Sequence, residues 1–271
     1  MHFRWRTALV AVILATLAAL AGACSGRGGG LVGTEYEYEE DLTISLDGSA
    51  SLVVNASIPA LVALRGLPLD TAPNARADAL REQLRAIYGS DNVRVGRISN
   101  WTRRGRRFVG IHLTIGDLRA LTKSAPFSWA AYDLHEEGEQ VVYRQTLSKP
   151  ATSGVLPPGL TGDEIVAFRL HLPARIRFQN SRVLEKDESR PAARGNIVTW
   201  EQRLRERLLG KPIAYAESRQ PDVMEVRMDR QSILYRTLWL FGIAFVAALL
   251  VIATLIWLTM RRGDKPVAQG R

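Results

Sequence analysis

The sequence predicts an α+β fold, an antiparallel sheet carrying one main amphipathic helix, with a transmembrane helix near the C-terminus. Three observations carry this expectation. Short apolar runs with strand-like alternation recur about every ten residues between Glu35 and Ala216, separated by turn residues. One segment, Asp70 to Tyr88, switches to helical spacing. The run from Thr237 to Met260 holds no charged residue. At about 1.5 Å per residue it exceeds the ~30 Å hydrocarbon core of a bilayer.

At the N-terminus, Arg4 and Arg6 precede an apolar run from Ala8 to Ala21, the n-region and h-region of an export signal. That run closes on Leu20-Ala21-Gly22-Ala23-Cys24, which brings the only cysteine in the chain directly after small residues. The arrangement resembles the bacterial lipobox and implies lipidation at Cys24, although Ala21 stands where that motif usually has leucine. The alternative is an ordinary cleaved signal, or an uncleaved anchor, with an incidental cysteine. A lone thiol excludes an internal disulfide. Residues 1–24 are thus read as the signal, and the glycine-rich 25–34 as a flexible linker.

The exported domain is expected to span 35–229. Tyr36, Tyr38, Leu42, Ile44 and Leu46 line one side of a first strand, and Asp47-Gly48 signals a hairpin to Leu52, Val54 and Ala56. Glu35, Glu37, Glu39, Glu40 and Asp41 crowd that strand, and read as the solvated acids of an edge strand rather than a metal site. In the helical segment Ala77, Leu80, Leu84 and Ile87 form one stripe, with Asp70 or Thr71 as the expected cap, Pro73 in the first turn and Gly89 at the end. Strands are expected again at 93–98, 108–115, 129–134 and 141–147, the last two joined at Glu137-Gly138. Asp117 caps a short helix that uses Leu118 and Leu121.

The proline- and glycine-rich loop 148–162 is either a connection inside one domain or a boundary between two. Beyond it, strands are expected at 165–172, around Ile176 and Phe178, at 197–200 and at 213–216. The juxtamembrane and transmembrane segment covers 230–260, with Trp239 and Trp257 near its ends and Tyr235 at the outer interface. Arg261, Arg262 and Lys265 hold the tail, 261–271, in the cytoplasm by the positive-inside rule. Both termini therefore imply one topology: a cell-membrane protein whose bulk is extracytoplasmic.

That topology changes the meaning of the charge. The net charge is +9, but Arg4 and Arg6 contribute two of it. The tail contributes three more, from Arg261, Arg262, Lys265 and Arg271 against Asp264. Nucleic acid is therefore not an expected partner. A mean hydropathy of −0.05 excludes a multi-span transporter.

The segment Phe168-Arg169-Leu170-His171-Leu172-Pro173-Ala174-Arg175-Ile176, then Asn180, then Gly195-Asn196-Ile197-Val198-Thr199-Trp200, resembles the closing strands of the LppM-type domain. Members of that family are actinobacterial lipoproteins with a lipobox, an extracytoplasmic α+β domain and a C-terminal transmembrane helix. The likeness would cover nearly the whole chain, with the polar stretch 185–195 as a departure. It implies an envelope protein that binds lipids or glycolipids, and it brings no catalytic residues.

No catalytic motif, metal-ligand spacing or cofactor signature appears among the residues. The histidines His112, His135 and His171 do not fall at metal-binding spacing. The most distinctive surface feature is Arg103-Arg104-Gly105-Arg106-Arg107 with Trp101, expected at a hairpin tip. It is read either as a contact for anionic headgroups or as a solvated turn whose arginines pair with the acidic strand. A second basic cluster, Arg203, Arg205, Arg207 and Lys211, surrounds the Leu208-Leu209-Gly210 turn. The chain is accordingly expected to be a non-catalytic, membrane-anchored envelope protein that binds a lipid, a glycolipid or an envelope partner. The alternative is an assembly factor working through a sheet edge, and an envelope enzyme ranks below both. An apolar cavity between sheet and helix would favour the first, and a flat exposed strand edge the second.

Overall fold

In the computed structural model, which describes residues 35–72, 76–184, 193–214 and 219–263, β1 (Tyr36–Ile44) and β2 (Ala50–Ser57) form the hairpin expected around Asp47-Gly48. Gly48 has φ +95°, which favours glycine, and Asp47 Oδ1 accepts the Ser49 N–H at 2.9 Å to close the turn. The signal, Cys24 and the linker lie outside the described residues, as do 264–271 of the tail.

Contrary to the expected edge strand, β1 is the middle strand of a seven-stranded sheet ordered β3-β4-β2-β1-β7-β10-β9. The others are β3 (Val93–Arg103), β4 (Arg106–Ile115), β7 (Ile165–His171), β9 (Ala193–Arg194) and β10 (Ile197–Arg203). All neighbours are antiparallel except β1 and β7. The acids of β1 are tolerated at the centre because arginines distant in sequence neutralise them. Arg106 meets Glu37, Arg169 meets Glu39 and Asp41, and Arg65 meets Glu40.

A second sheet, ordered β5-β6-β11-β8, is antiparallel throughout. It contains β5 (Ala130–Glu137), β6 (Gln140–Leu147), β8 (Ala174–Gln179) and β11 (Val223–Ser232). Two sheets thus replace the single one expected, within the α+β class. Each sheet takes strands from both sides of the 148–162 loop, so that loop is a connection within one folded unit. The core is continuous between the sheets, from Leu52 and Ile111 in the first to Tyr143, Met224 and Val226 in the second.

Four α-helices complete the described residues. α1 (Ile58–Arg65) was not expected, because a helix buried on nearly every side shows no amphipathic period. Ser57 caps it by accepting the Ala60 N–H at 3.2 Å, and Gly66 terminates it. α2 (Ala77–Tyr88) buries Leu80, Leu84 and Tyr88, close to the expected stripe. It starts later than Asp70, because Leu67 and Leu69 are buried in extended chain and Asp70 Oδ1 accepts Ala72 N–H in a local turn. Asp117 caps the 3-10 turn Leu118–Lys123 as expected, accepting the Arg119 N–H at 3.0 Å. α3 (Leu204–Leu208) and β11 were missed. Ile213 and Ala214 are buried but form no strand, and 215–218 lie outside the described residues.

α4 (Ile233–Gly263) follows β11 without a linker. Pro173 O accepts the Ile233 N–H at 2.9 Å and Ser232 Oγ accepts the Tyr235 N–H at 3.1 Å, which fixes the start of the helix to the turn between β7 and β8. The stretch Ile233–Leu258, 26 residues, is long and apolar enough to cross a membrane, and none of it is buried against the protein.

Candidate functional site

Glu40 interrupts the buried face of the large sheet. In register across the strands, Ile98, Ile111, Val54, Glu40, Phe168 and Trp200 form one row, a carboxylate between apolar side chains. A charge there must be paired, since an unpaired one would be too costly to desolvate. Arg65, delivered by the last turn of α1, forms the ion pair and also donates to Tyr38 Oη, while its guanidinium lies over the Trp129 ring. Tyr38 in turn donates to Glu40, and Tyr143 donates to Gln145 Oε1 at 2.8 Å.

A second guanidinium enters the same region. Arg207 of α3 is 6% exposed and donates to Ser148 O. Burial is the largest influence on all three charged groups. It pushes Glu40 up to about 8, against the Gln145 hydrogen bond and the charge of Arg207, and it pushes Arg65 down to about 9 and Arg207 down to about 10. Contact between Glu40 and Arg65 favours both charged forms and so opposes both displacements. The surrounding Tyr132 and Tyr143 are raised well above their ordinary value by burial, and so remain neutral.

Sequence reasoning grouped Arg207 with Arg203, Arg205 and Lys211 as one basic cluster around the Leu208-Leu209-Gly210 turn. The fold divides that cluster. Arg203 and Arg205 stay at the surface against Asp163, at 3.5 and 2.6 Å, Lys211 is exposed, and Arg207 is buried. The signal for Glu40 was present in the sequence, since it takes the inward position between Tyr38 and Leu42 in the alternating stripe. The central gap it lines, with Tyr143, Gln145, Phe168 and Trp200, is about 10 Å³, room for roughly one water. The interior at this point has no space for an acyl chain.

The expected hairpin tip is confirmed, with Arg104 at φ +51° and Gly105 at φ +73° forming the turn between β3 and β4. Arg103, Arg106 and Arg107 are committed to the protein. Arg106 makes a bidentate pair with buried Glu37 at 2.9 and 3.0 Å, Arg103 donates to Tyr36 O, and Arg107 donates to Asp70 O at 2.9 Å. Trp101 is 39% exposed and stacks on Phe108 at 5.7 Å between ring centroids. The tip lies beside the start of β1. The start of α4 lies beside the end of β7, which runs parallel to β1. The two places are separated by the length of β7, roughly 20 Å at ~3.3 Å per residue. Arg106→Ser is expected to lower stability by about 2 kcal/mol, because it strips a buried carboxylate of two charged hydrogen bonds. Urea midpoints of the variant and the unsubstituted chain test this, and an unchanged midpoint would contradict it.

On the outer face of the large sheet, Asp41 lies 3.0 Å from His171 and 3.4 Å from Arg169. Among the described residues, no three His, Cys, Asp or Glu side chains gather as a metal site.

No protein-family model matches the chain, and no curated protein does. A similar solved structure is the NMR structure of the folded domain of LppM from Mycobacterium tuberculosis. It is 18% identical, covers 75% of this chain and 95% of that one, and superposes with a TM-score of 0.37. So loose a likeness carries no argument about fold or function, and the resemblance read from the sequence stays an expectation.

Proposed function

We propose that this chain is a non-catalytic, membrane-anchored protein of the bacterial cell envelope, with α4 crossing the bilayer and the two-sheet domain outside, and that it acts by binding at its surface. The direct passage of β11 into the exposed apolar helix carries this reading. At ~1.5 Å per residue the 26 residues reach about 39 Å, more than the ~30 Å core. Tyr235 and Trp239, hydrogen-bonded to each other at 2.9 Å near the start of α4, suit the interface. Arg261 and Arg262 close the helix on the cytoplasmic side.

Cys24 supplies a second, lipid anchor in this proposal. Its dozen or so residues to β1 reach about 40 Å when extended, enough to return to the same bilayer from the far end of the sheet. The headgroup contact expected of Trp101, Arg103, Arg104, Arg106 and Arg107 is a weaker part of the proposal. The tip stands about two Debye lengths from the place where α4 begins, and two of its arginines, Arg103 and Arg106, brace β1. Lipid or glycolipid recognition is therefore assigned to the surface rather than to the closed interior. The alternative, an assembly factor acting through protein contact, is favoured by Phe178, 46% exposed on the edge strand β8.

Protease added to intact spheroplasts is expected to digest the domain and leave a protected fragment containing α4. A domain that resists protease until the cells are lysed would refute the topology.

A further inference from the structure

We infer that the cavity beside Arg207 and Lys211 is a binding site for a small phosphate-bearing anion. The cavity measures about 230 Å³ and is lined by Leu147, Arg207, Gly210, Lys211, Ile213 and Asp222. That is below the ~300–1,000 Å³ of sites for drug-sized ligands and suits a single headgroup or small ester. Its lining is mainly polar, with two cations against one carboxylate.

Charge marks this cavity out. Of the two guanidiniums beside the central gap, Arg65 is in contact with the Glu40 carboxylate, and Arg207 is 6% exposed. Buried charges are ordinarily paired, yet Arg207 has no carboxylate in contact among the described residues, only Ser148 O. Its charge is therefore met within the protein only by the field of Glu40, without a contacting counter-ion, and Arg207 lines the cavity. Lys211, on the same cavity, also has no carboxylate partner among the described residues. A guanidinium fork beside an ammonium is a phosphate-binding combination. The ~1.5–2 negative charges of a phosphate monoester at neutral pH match the two cations more closely than a carboxylate does. Asp222 opposes the anion and lowers the affinity without reversing the sign of the site.

The cavity lies at the start of β11, since Leu147 ends β6 and Asp222 precedes Val223, whereas α4 leaves from the other end of that strand. Ten residues of strand at ~3.3 Å put it roughly 33 Å from that junction, several Debye lengths away. The site therefore faces the compartment rather than the leaflet that holds the protein. Its ligand is either a soluble phosphate ester or the headgroup of a lipid presented from elsewhere.

This inference deepens the surface-binding reading by naming a site and a ligand class. Its test uses the full chain in phosphatidylcholine nanodiscs, titrated with inorganic phosphate and, separately, with chloride at matched ionic strength. Phosphate should raise the melting temperature saturably and chloride should not. Lys211→Gln should weaken the effect about tenfold, the loss of one charged hydrogen bond, and Asp222→Asn should strengthen it. Both variants are at exposed positions, and their unliganded melting temperatures report whether they fold. Co-flotation of the nanodiscs with phosphatidylglycerol vesicles, lost in Lys211→Gln, would identify a lipid headgroup as the source. Phosphate stabilisation without co-flotation would identify a soluble ester. Equal stabilisation by chloride and phosphate, or a phosphate response unchanged in both variants, would overturn the site. That failure would leave the membrane topology standing, because spheroplast proteolysis reads topology independently.

Discussion

Glu40→Ala is expected to destabilise the domain by about 3–5 kcal/mol, the cost of breaking a buried ion pair and leaving its partner charge uncompensated. Here two cations lose their counter-charge, since Arg65 contacts Glu40 directly and Arg207 is influenced by it. Against a typical total of about 5–15 kcal/mol, a loss of this size is severe. Replacing Arg65 by methionine together with Glu40→Leu should recover much of it, since an apolar pair of similar volume carries no desolvation penalty. Chemical denaturation of the three proteins is the measurement. A single substitution as mild as the double one would show that the ion pair does not carry this load.

The second large effect is expected at Trp200. It is 1% exposed, and its indole Nε1–H lies 3.2 Å from both Asn180 O and Asn180 Oδ1. Asn180 also donates to Val223 O at 2.7 Å and accepts the Glu225 N–H at 2.9 Å, so it joins β10 of the large sheet to β11 of the small one. Trp200→Ala should cost about 3–5 kcal/mol from lost packing and leave Asn180 short of a donor. Trp200→Phe keeps most of the apolar volume and should cost about 1–2 kcal/mol, the contribution of the buried hydrogen bond. Thermal melts separate these outcomes. Equal losses would mean that the hydrogen bond, not the packing, dominates.

The legible parts of the fold are those written in local pattern. The Asp47-Gly48 hairpin, the Leu80/Leu84 stripe, the Asp117 cap and the apolar run of α4 each follow from neighbouring residues, and the structure contains all of them. The misses have physical causes. α1 is apolar on nearly every face and so shows no helical period. In β11 the alternation of Met224, Val226 and Met228 is obscured by Glu225, Arg227 and Asp229, whose charges are paired across strands with Arg144, Glu137 and Arg177. The acids of β1 looked like a solvated edge because their partners Arg65, Arg106 and Arg169 are far away in sequence. The cavity beside Arg207 was illegible for the same reason, since it depends on α3, β6 and the approach to β11 meeting in space. Glu40 is the instructive exception, because a charged residue in the inward register of an otherwise apolar strand is visible without any structure.

The central claim is that α4 anchors the domain in the bilayer. Alkaline carbonate extraction tests it most directly on two chains, both carrying Cys24→Ala to remove the lipid anchor. One is full-length and the other stops after Ser232. The account predicts that the full-length chain stays in the membrane pellet and the shortened chain is released. Release of the full-length chain would contradict it.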